Sequence, residues 1–209
     1  MLWIILGIII SYLVGSIPTA YIFGRLIKGV DIRKFGSGNV GATNALRLLG
    51  KGWGVTVLVL DILKGALPVI ILAELFGAKT HLTLDTFCIL IGLSCICGHN
   101  WTIFLKFKGG KGVATTLGVL IGLSAKIAGL KVILGLTIFI WLATFILSRT
   151  ISLASVMAAL SFPWLTLLFR QSYPIILIGL LLSVFIILRH KSNIKRILEG
   201  QEPKLNFKK

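Results

Sequence analysis

Apolar residues run through this chain in stretches about as long as a hydrocarbon core is thick, separated by short polar segments. Residues 2–24, 53–77 and 82–97, the last with a flank to about 104, read as three helical spans. The stretch 113–147 is too long for one crossing, and Lys126 and Lys131 punctuate its middle. It divides into 113–125, which is short, and 132–147. Residues 151–169 and 175–188 complete the series. The pattern predicts an all-α, polytopic integral membrane protein with about seven transmembrane helices, forming a single membrane-embedded domain over 1–209. The first span has no basic flank before it and no small-residue cleavage site after it, so it is expected to be a retained helix and not a signal peptide.

Charge placement supports that count. With seven spans and the N-terminus outside, only Lys79, Lys126, Lys131 and Arg170 face outward and Lys64 lies within a span. All other basic residues among the 22 then fall on the cytoplasmic side, as does the C-terminus. A single span over 113–147 would throw the basic tail outside. Three polar segments, 25–51, 98–112 and 189–209, consequently share the cytoplasmic face, where they can converge.

Composition agrees: 56% of residues are hydrophobic, 13% are charged, and mean hydropathy is +1.00. A soluble domain carries about a quarter charged residues. The net charge of +16 fits loops that orient the protein and meet anionic headgroups of the lipid bilayer, so nucleic acid is not expected as a partner. Cys88, Cys95 and Cys97 lie in one apolar run and read as small buried hydrophobes. Gly118 and Gly122 form a Gly-x-x-x-Gly pair suited to close helix packing. Asp61 and Lys64, three residues apart within a span, can neutralise one another or serve a site.

The chemistry lies in the polar segments. Gly36-Ser37-Gly38-Asn39-Val40-Gly41-Ala42-Thr43-Asn44 is rich in small and hydrogen-bonding residues. Its Gly36-x-Gly38-x-x-Gly41 string matches a dinucleotide fingerprint, but a basic linker and not a strand precedes it, which excludes that reading. Lys108-Gly109-Gly110-Lys111-Gly112 lacks the first glycine and the final Ser or Thr of a Walker A loop. Nucleotide hydrolysis is therefore not supported, although a glycine-rich turn with two lysines entering a helix can still hold phosphate. Ser37 has no legible base and reads as a hydrogen-bond donor, not a nucleophile. Arg47 can grip phosphate in bidentate fashion or anchor the loop. His190 can act as a base near neutral pH, with Asn193 three residues on along the same face.

Together these segments resemble the bacterial acyl-phosphate:glycerol-3-phosphate acyltransferase family. The resemblance rests on three motifs in order: Gly36–Asn44 with Arg47; Gly98-His99-Asn100 followed by Phe107-Lys108-Gly109-Gly110-Lys111-Gly112; and His190 with Asn193 through Glu202. Asp61-Ile62-Leu63-Lys64-Gly65 and Ser152-Leu153-Ala154-Ser155 also look like family features. The resemblance implies transfer of a fatty acyl group from acyl phosphate to the sn-1 hydroxyl of glycerol 3-phosphate, giving lysophosphatidic acid, the first step of phospholipid synthesis. It implies a bacterial inner-membrane location, no cofactor and no metal, and a soluble enzyme that makes acyl phosphate as a partner. Ser37, Arg47, Lys111, His190 and Asn193 would form the catalytic set. Gly36, Gly38, Asn39, Gly41, Asn44, Gly98, His99, Asn100, Lys108, Gly109, Gly110, Gly112 and Ser155 would bind substrate. The acyl-CoA-using type carries His-x-x-x-x-Asp, a spacing that neither His99 nor His190 satisfies.

Acyl phosphate is a mixed anhydride with a good leaving group, so positioning and charge neutralisation are the expected tasks. The second motif would take glycerol 3-phosphate. Ser37, Asn39 and Arg47 would orient acyl phosphate or the oxyanion, with Lys111 between the phosphates. Either His190 or a substrate phosphate would serve as base. A small transporter or binding protein for a phosphorylated solute is the competing expectation. It calls for internal repeats and polar sites at mid-membrane, whereas the polar groups here cluster on one face.

Overall fold

The computed structural model describes residues 1–205; Lys208 and Lys209, counted with the basic tail, lie outside them. The described residues form helices and short 3-10 turns, with no strand among them. They fall into two compact units, Met1–Ile127 and a second that begins at Ala128.

The first unit holds α1 (Leu2–Ser16), α2 (Thr19–Lys28), α3 (Ala42–Leu49), α4 (Lys51–Phe76), α5 (Leu84–Asn100) and α6 (Val113–Lys126). The apolar stretch 2–24 is thus two helices and not one. Pro18 disfavours helical geometry at the preceding residue, and Ile17 takes ψ 112°. The chain re-enters a helix at Thr19 and ends it at Gly29, whose φ of 67° closes α2 with a left-handed cap.

Small residues let the helices of this unit approach closely. α1 lies along α5, where Ser11 Oγ donates to Ile91 O at 2.6 Å and Ser16 Oγ to Gly98 O at 3.3 Å. α4 packs on α6, as the Gly118-x-x-x-Gly122 pair predicts. A Cβ at Gly118 would fall on the Ile62 carbonyl, so only glycine permits this approach.

The second unit holds α7 (Leu130–Ser148), α8 (Ile151–Leu168), α9 (Tyr173–Arg189) and α10 (Lys191–Leu198). α8 packs against α7 and α9, and α10 turns back onto α8 and α9 after a bend of 64°. The division expected at Lys126–Lys131 is present: α6 stops at Lys126, Gly129 has φ 84°, and α7 starts at Leu130.

By length and composition five stretches can cross a membrane: Leu2–Lys28, Lys51–Lys79, Leu84–Leu105, Leu130–Ser148 and Ile151–Leu168. The bent pair α9 and α10 makes a sixth. α6, a separate crossing in the sequence pattern, has 14 residues. Its rise of about 21 Å falls short of a hydrocarbon core about 30 Å thick.

Candidate active site

The first motif is a loop folded around one buried carboxamide. Asn44, on the first turn of α3, is 1% exposed. Its Nδ2 donates to the carbonyls of Ile32, Phe35 and Asn39 at 3.0–3.1 Å, and its Oδ1 accepts the Ser37 N–H at 3.1 Å. Gly36 passes directly over this group with φ 56°, where a Cβ would strike Asn44 Oδ1. Gly38 also has positive φ, and Gly41 caps α3. The loop is anchored below by an apolar core of Ala20, Ile32, Val40, Ala45, Val57 and Leu105. Ser37 and Arg47 are exposed, and Asn39 is half-buried.

The entry to this loop is latched by charge. Arg33 makes a two-pronged contact with Asp31, Nη2 to Oδ2 at 2.7 Å and Nε to Oδ1 at 3.0 Å. Arg33 also stands over the Tyr21 ring, 5.3 Å from its centroid. The Arg33 side-chain hydrogen bonds, only partly opposed by burial, hold the Asp31 carboxyl at about 2, below its ordinary 3.8. A depressed carboxyl pKa stabilises the fold above the unfolded value and ceases to do so as pH falls through the folded one. Asp31→Asn is therefore expected to lower the unfolding temperature in detergent at neutral pH. The gap to the parent should close between about pH 4 and pH 2.

The second motif lies against the end of α5. The Gly110 N–H donates to His99 O at 3.0 Å and the Gly109 N–H to Asn100 O at 3.2 Å. A Cβ at Gly110 would collide with the His99 ring and crowd the Val40 carbonyl, so the second loop rests directly on the first. Gly112, φ 82°, brings the chain past the Asn100 side chain into α6. Asn100 is fully buried, and its carboxamide has no hydrogen-bond partner among the described residues. Lys108 is exposed and Lys111 half-buried. Gly98 faces elsewhere: a Cβ there would meet the Tyr12 carbonyl of α1, so it serves helix packing.

Asp61 and Lys64 form an ion pair of 2.7 Å, as their spacing predicts. Thr19 Oγ1 donates to the same carboxylate oxygen at 2.6 Å, and His99 Nδ1 stands 3.9 Å from it. Cys95 is buried, its Sγ donating to Lys64 O at 3.0 Å.

In the second unit the third motif is organised by Glu202. Its Oε1 accepts from Asn193 Nδ2 at 2.5 Å and Ser152 Oγ at 2.7 Å, and its Oε2 from Arg196 Nε at 2.7 Å. Burial opposes the charge on Glu202, but these three hydrogen bonds outweigh it and hold the carboxyl below its usual range. His190, 3% exposed at the junction of α9 and α10, has Nδ1 2.7 Å from Ile186 O. A ring nitrogen facing a carbonyl must donate, which leaves Nε2 as the acceptor in the neutral ring. Ser155 is buried in α8, where its Oγ donates to Ile151 O at 2.8 Å and accepts from Trp141 Nε1 at 3.3 Å.

A glycerol-3-phosphate acyltransferase family model matches residues 5–200. The chain belongs to this family. A glycerol-3-phosphate acyltransferase of Thermoanaerobacter sp. (strain X514) is 40% identical over 207 residues, covering 99% of this chain and 98% of the relative. Another, from Moorella thermoacetica, is 45% identical over 204 residues and covers 98% of both chains. The fold matches a crystal structure of PlsY, an integral membrane glycerol 3-phosphate acyltransferase, in its glycerol 3-phosphate form. The TM-score is 0.85 and the identity 37%, over 97% of this chain and 96% of that one. The lysophosphatidic acid form of PlsY matches with a TM-score of 0.81 at 36% identity, over 97% of this chain and 95% of that one.

Within this acyltransferase the first two motifs meet, as their shared polar face suggests. Three groups escape the sequence-derived set of site residues. Glu202 stands inside the third motif, and its acidity in a strongly basic segment is the only signal it gives. Ser152 gives only its place in the Ser152–Ser155 string and Thr19 gives none, because each gains its meaning from a partner distant in sequence.

Proposed function

We propose that this acyltransferase moves a fatty acyl group from acyl phosphate to the sn-1 hydroxyl of glycerol 3-phosphate. The products are lysophosphatidic acid and inorganic phosphate. The observation that carries the reading is the contact between the two glycine-rich loops, with Ser37 on one and Arg47 on the helix it leads into, Lys108 and Lys111 on the other, and the buried Asn100 side chain close by. Such a surface suits two phosphorylated reactants that must be brought together and neutralised. The family membership and the substrate and product named for PlsY support it.

The second motif takes the phosphate of glycerol 3-phosphate at the N-terminus of α6, where the helix dipole and the first-turn backbone N–H groups favour an anion. Ser37, Asn39 and Arg47 orient acyl phosphate or the oxyanion, held in place by Asn44, and Lys111 lies between the phosphates. The hydroxyl oxygen attacks the acyl carbonyl, the bond to phosphate breaks, and phosphate leaves with the electron pair. The hydroxyl proton passes to His190 or to a substrate phosphate. Asn193, oriented by Glu202, assists the hydroxyl. The protein sits in the bacterial inner membrane with its N-terminus outside and its polar motifs facing the cytoplasm, and a count of about seven crossings requires the bilayer to thin around the short α6.

The test uses purified protein, synthetic acyl phosphate and labelled glycerol 3-phosphate, without CoA or acyl carrier protein. Lysophosphatidic acid should form. Product only when acyl-CoA replaces acyl phosphate would overturn the donor, and solute uptake into vesicles without product would point to transport.

A further inference from the structure

The ion pair in α4 is unusual in its surroundings. The side chains of Lys64 and Asp61 are 6% and 2% exposed. Removing two charges from water costs on the order of several kcal/mol per ion, and apolar residues of similar volume often serve stability as well. The contacts of the pair reach in two directions. Lys64 Nζ donates at 2.8 Å to the carbonyl of Ile17, where α1 breaks before Pro18. Thr19, the first residue beyond that break, donates to Asp61 Oδ1. The same oxygen faces Nδ1 of His99 at 3.9 Å. Gly110 lies on the opposite edge of that ring, beside Nε2, with its N–H bonded to the His99 carbonyl. A pocket between the charges and the loops is lined by Thr19, Val40, Lys64, His99, Gly109 and Gly110.

We propose that Asp61 and Lys64 are positioning residues for the glycine-rich loop, acting through the ring of His99. The proposal rests on the reading that this loop binds glycerol 3-phosphate. A distance of 3.9 Å is too long for a hydrogen bond, but the Coulombic attraction is strong where water is excluded. It keeps the Nδ1–H directed at Asp61 and turns Nε2 toward the loop. The ring then sets how closely Gly109 and Gly110 approach α5, and so where their backbone meets the phosphate. Lys64 compensates the carboxylate and ties it to the broken first helix, which gives the ring a fixed reference.

The experiment measures initial rates with both substrates varied for Asp61→Asn/Lys64→Met, which leaves neither charge unpaired. KM for glycerol 3-phosphate should rise about tenfold, while KM for acyl phosphate and the unfolding temperature stay near the parent's. Adding His99→Gln to that variant should raise KM little further, because the charges act through the ring. An unchanged KM for glycerol 3-phosphate, or effects that multiply, would overturn the proposal. A lower unfolding temperature with both KM values unchanged, the result expected of a bracing role alone, would overturn it equally. Should the paired variant fail to fold, Thr19→Val removes only the hydroxyl that donates to Asp61. A rise of about threefold in the same KM is then expected, and no rise sinks the idea. Gly110→Ala separates the two layers of inference. If it too leaves KM for glycerol 3-phosphate unchanged, the loop is not the binding site. If it raises KM while the charge variants are silent, only the positioning role fails.

Discussion

Replacing His190 by alanine is expected to lower kcat by about 10²- to 10⁴-fold, the range supplied by a positioned acid–base group. The ring is buried, and its Nδ1 is committed to Ile186 O, so the neutral form offers Nε2 as its acceptor. Backbone bonds at this position survive truncation: the His190 N–H meets Ile186 O, and its carbonyl accepts from Ile194 N at 2.8 Å. The unfolding temperature should therefore move much less than kcat. Steady-state rates with both substrates varied provide the check. A change confined to KM would assign the proton to a substrate phosphate instead.

Asn44→Ala should be nearly as damaging, for a different reason. The side chain touches neither reactant in the proposed scheme, yet it holds three carbonyls and the Ser37 N–H in one loop. Each of those groups that water cannot reach costs roughly 1–3 kcal/mol when its partner is deleted. The loop will rearrange to recover them, carrying Ser37 with it. Misplacement of a reacting group by about 1 Å can cost about a hundredfold, and kcat/KM should fall by at least that much. Asn44→Asp keeps the acceptor for Ser37 but sets its second carboxylate oxygen against three carbonyls, so it should not rescue activity. Retention of kcat/KM within about threefold of the parent in Asn44→Ala would contradict the bracing role.

Much of the helical scheme is legible in the sequence. Apolar length alone marked α4, α5, α7, α8 and α9, and two lysines marked the break between α6 and α7. The i, i+3 pairing of Asp61 with Lys64 and the close approach at Gly118 followed from helical spacing. The break at Pro18 was harder to see, because apolar residues continue on both sides and a hydropathy window does not register backbone geometry. The packing role of Gly98 is hidden in the string for a related reason. Adjacent to His99, it reads as part of a loop, but on α5 it points toward α1, and facing direction is set by the helix and not by the motif string.

The glycine run 36–44 shows where the division lies. Sequence established that this segment is polar and rich in small, hydrogen-bonding residues, because those properties belong to the residues themselves. It established the family as well, because three ordered motifs are a property of the string. It did not establish that Asn44 turns inward to hold the loop, that Gly110 lies against the ring of His99, or that Asp61 serves Thr19 and His99 as well as Lys64. Those contacts join residues from 5 to 42 positions apart, outside any helical repeat. A buried polar group takes whichever partner packing brings within reach, since leaving it unpaired in an apolar interior costs more than any local preference. Local propensities decide which helices form; only the packed chain decides which hydrogen bonds they make.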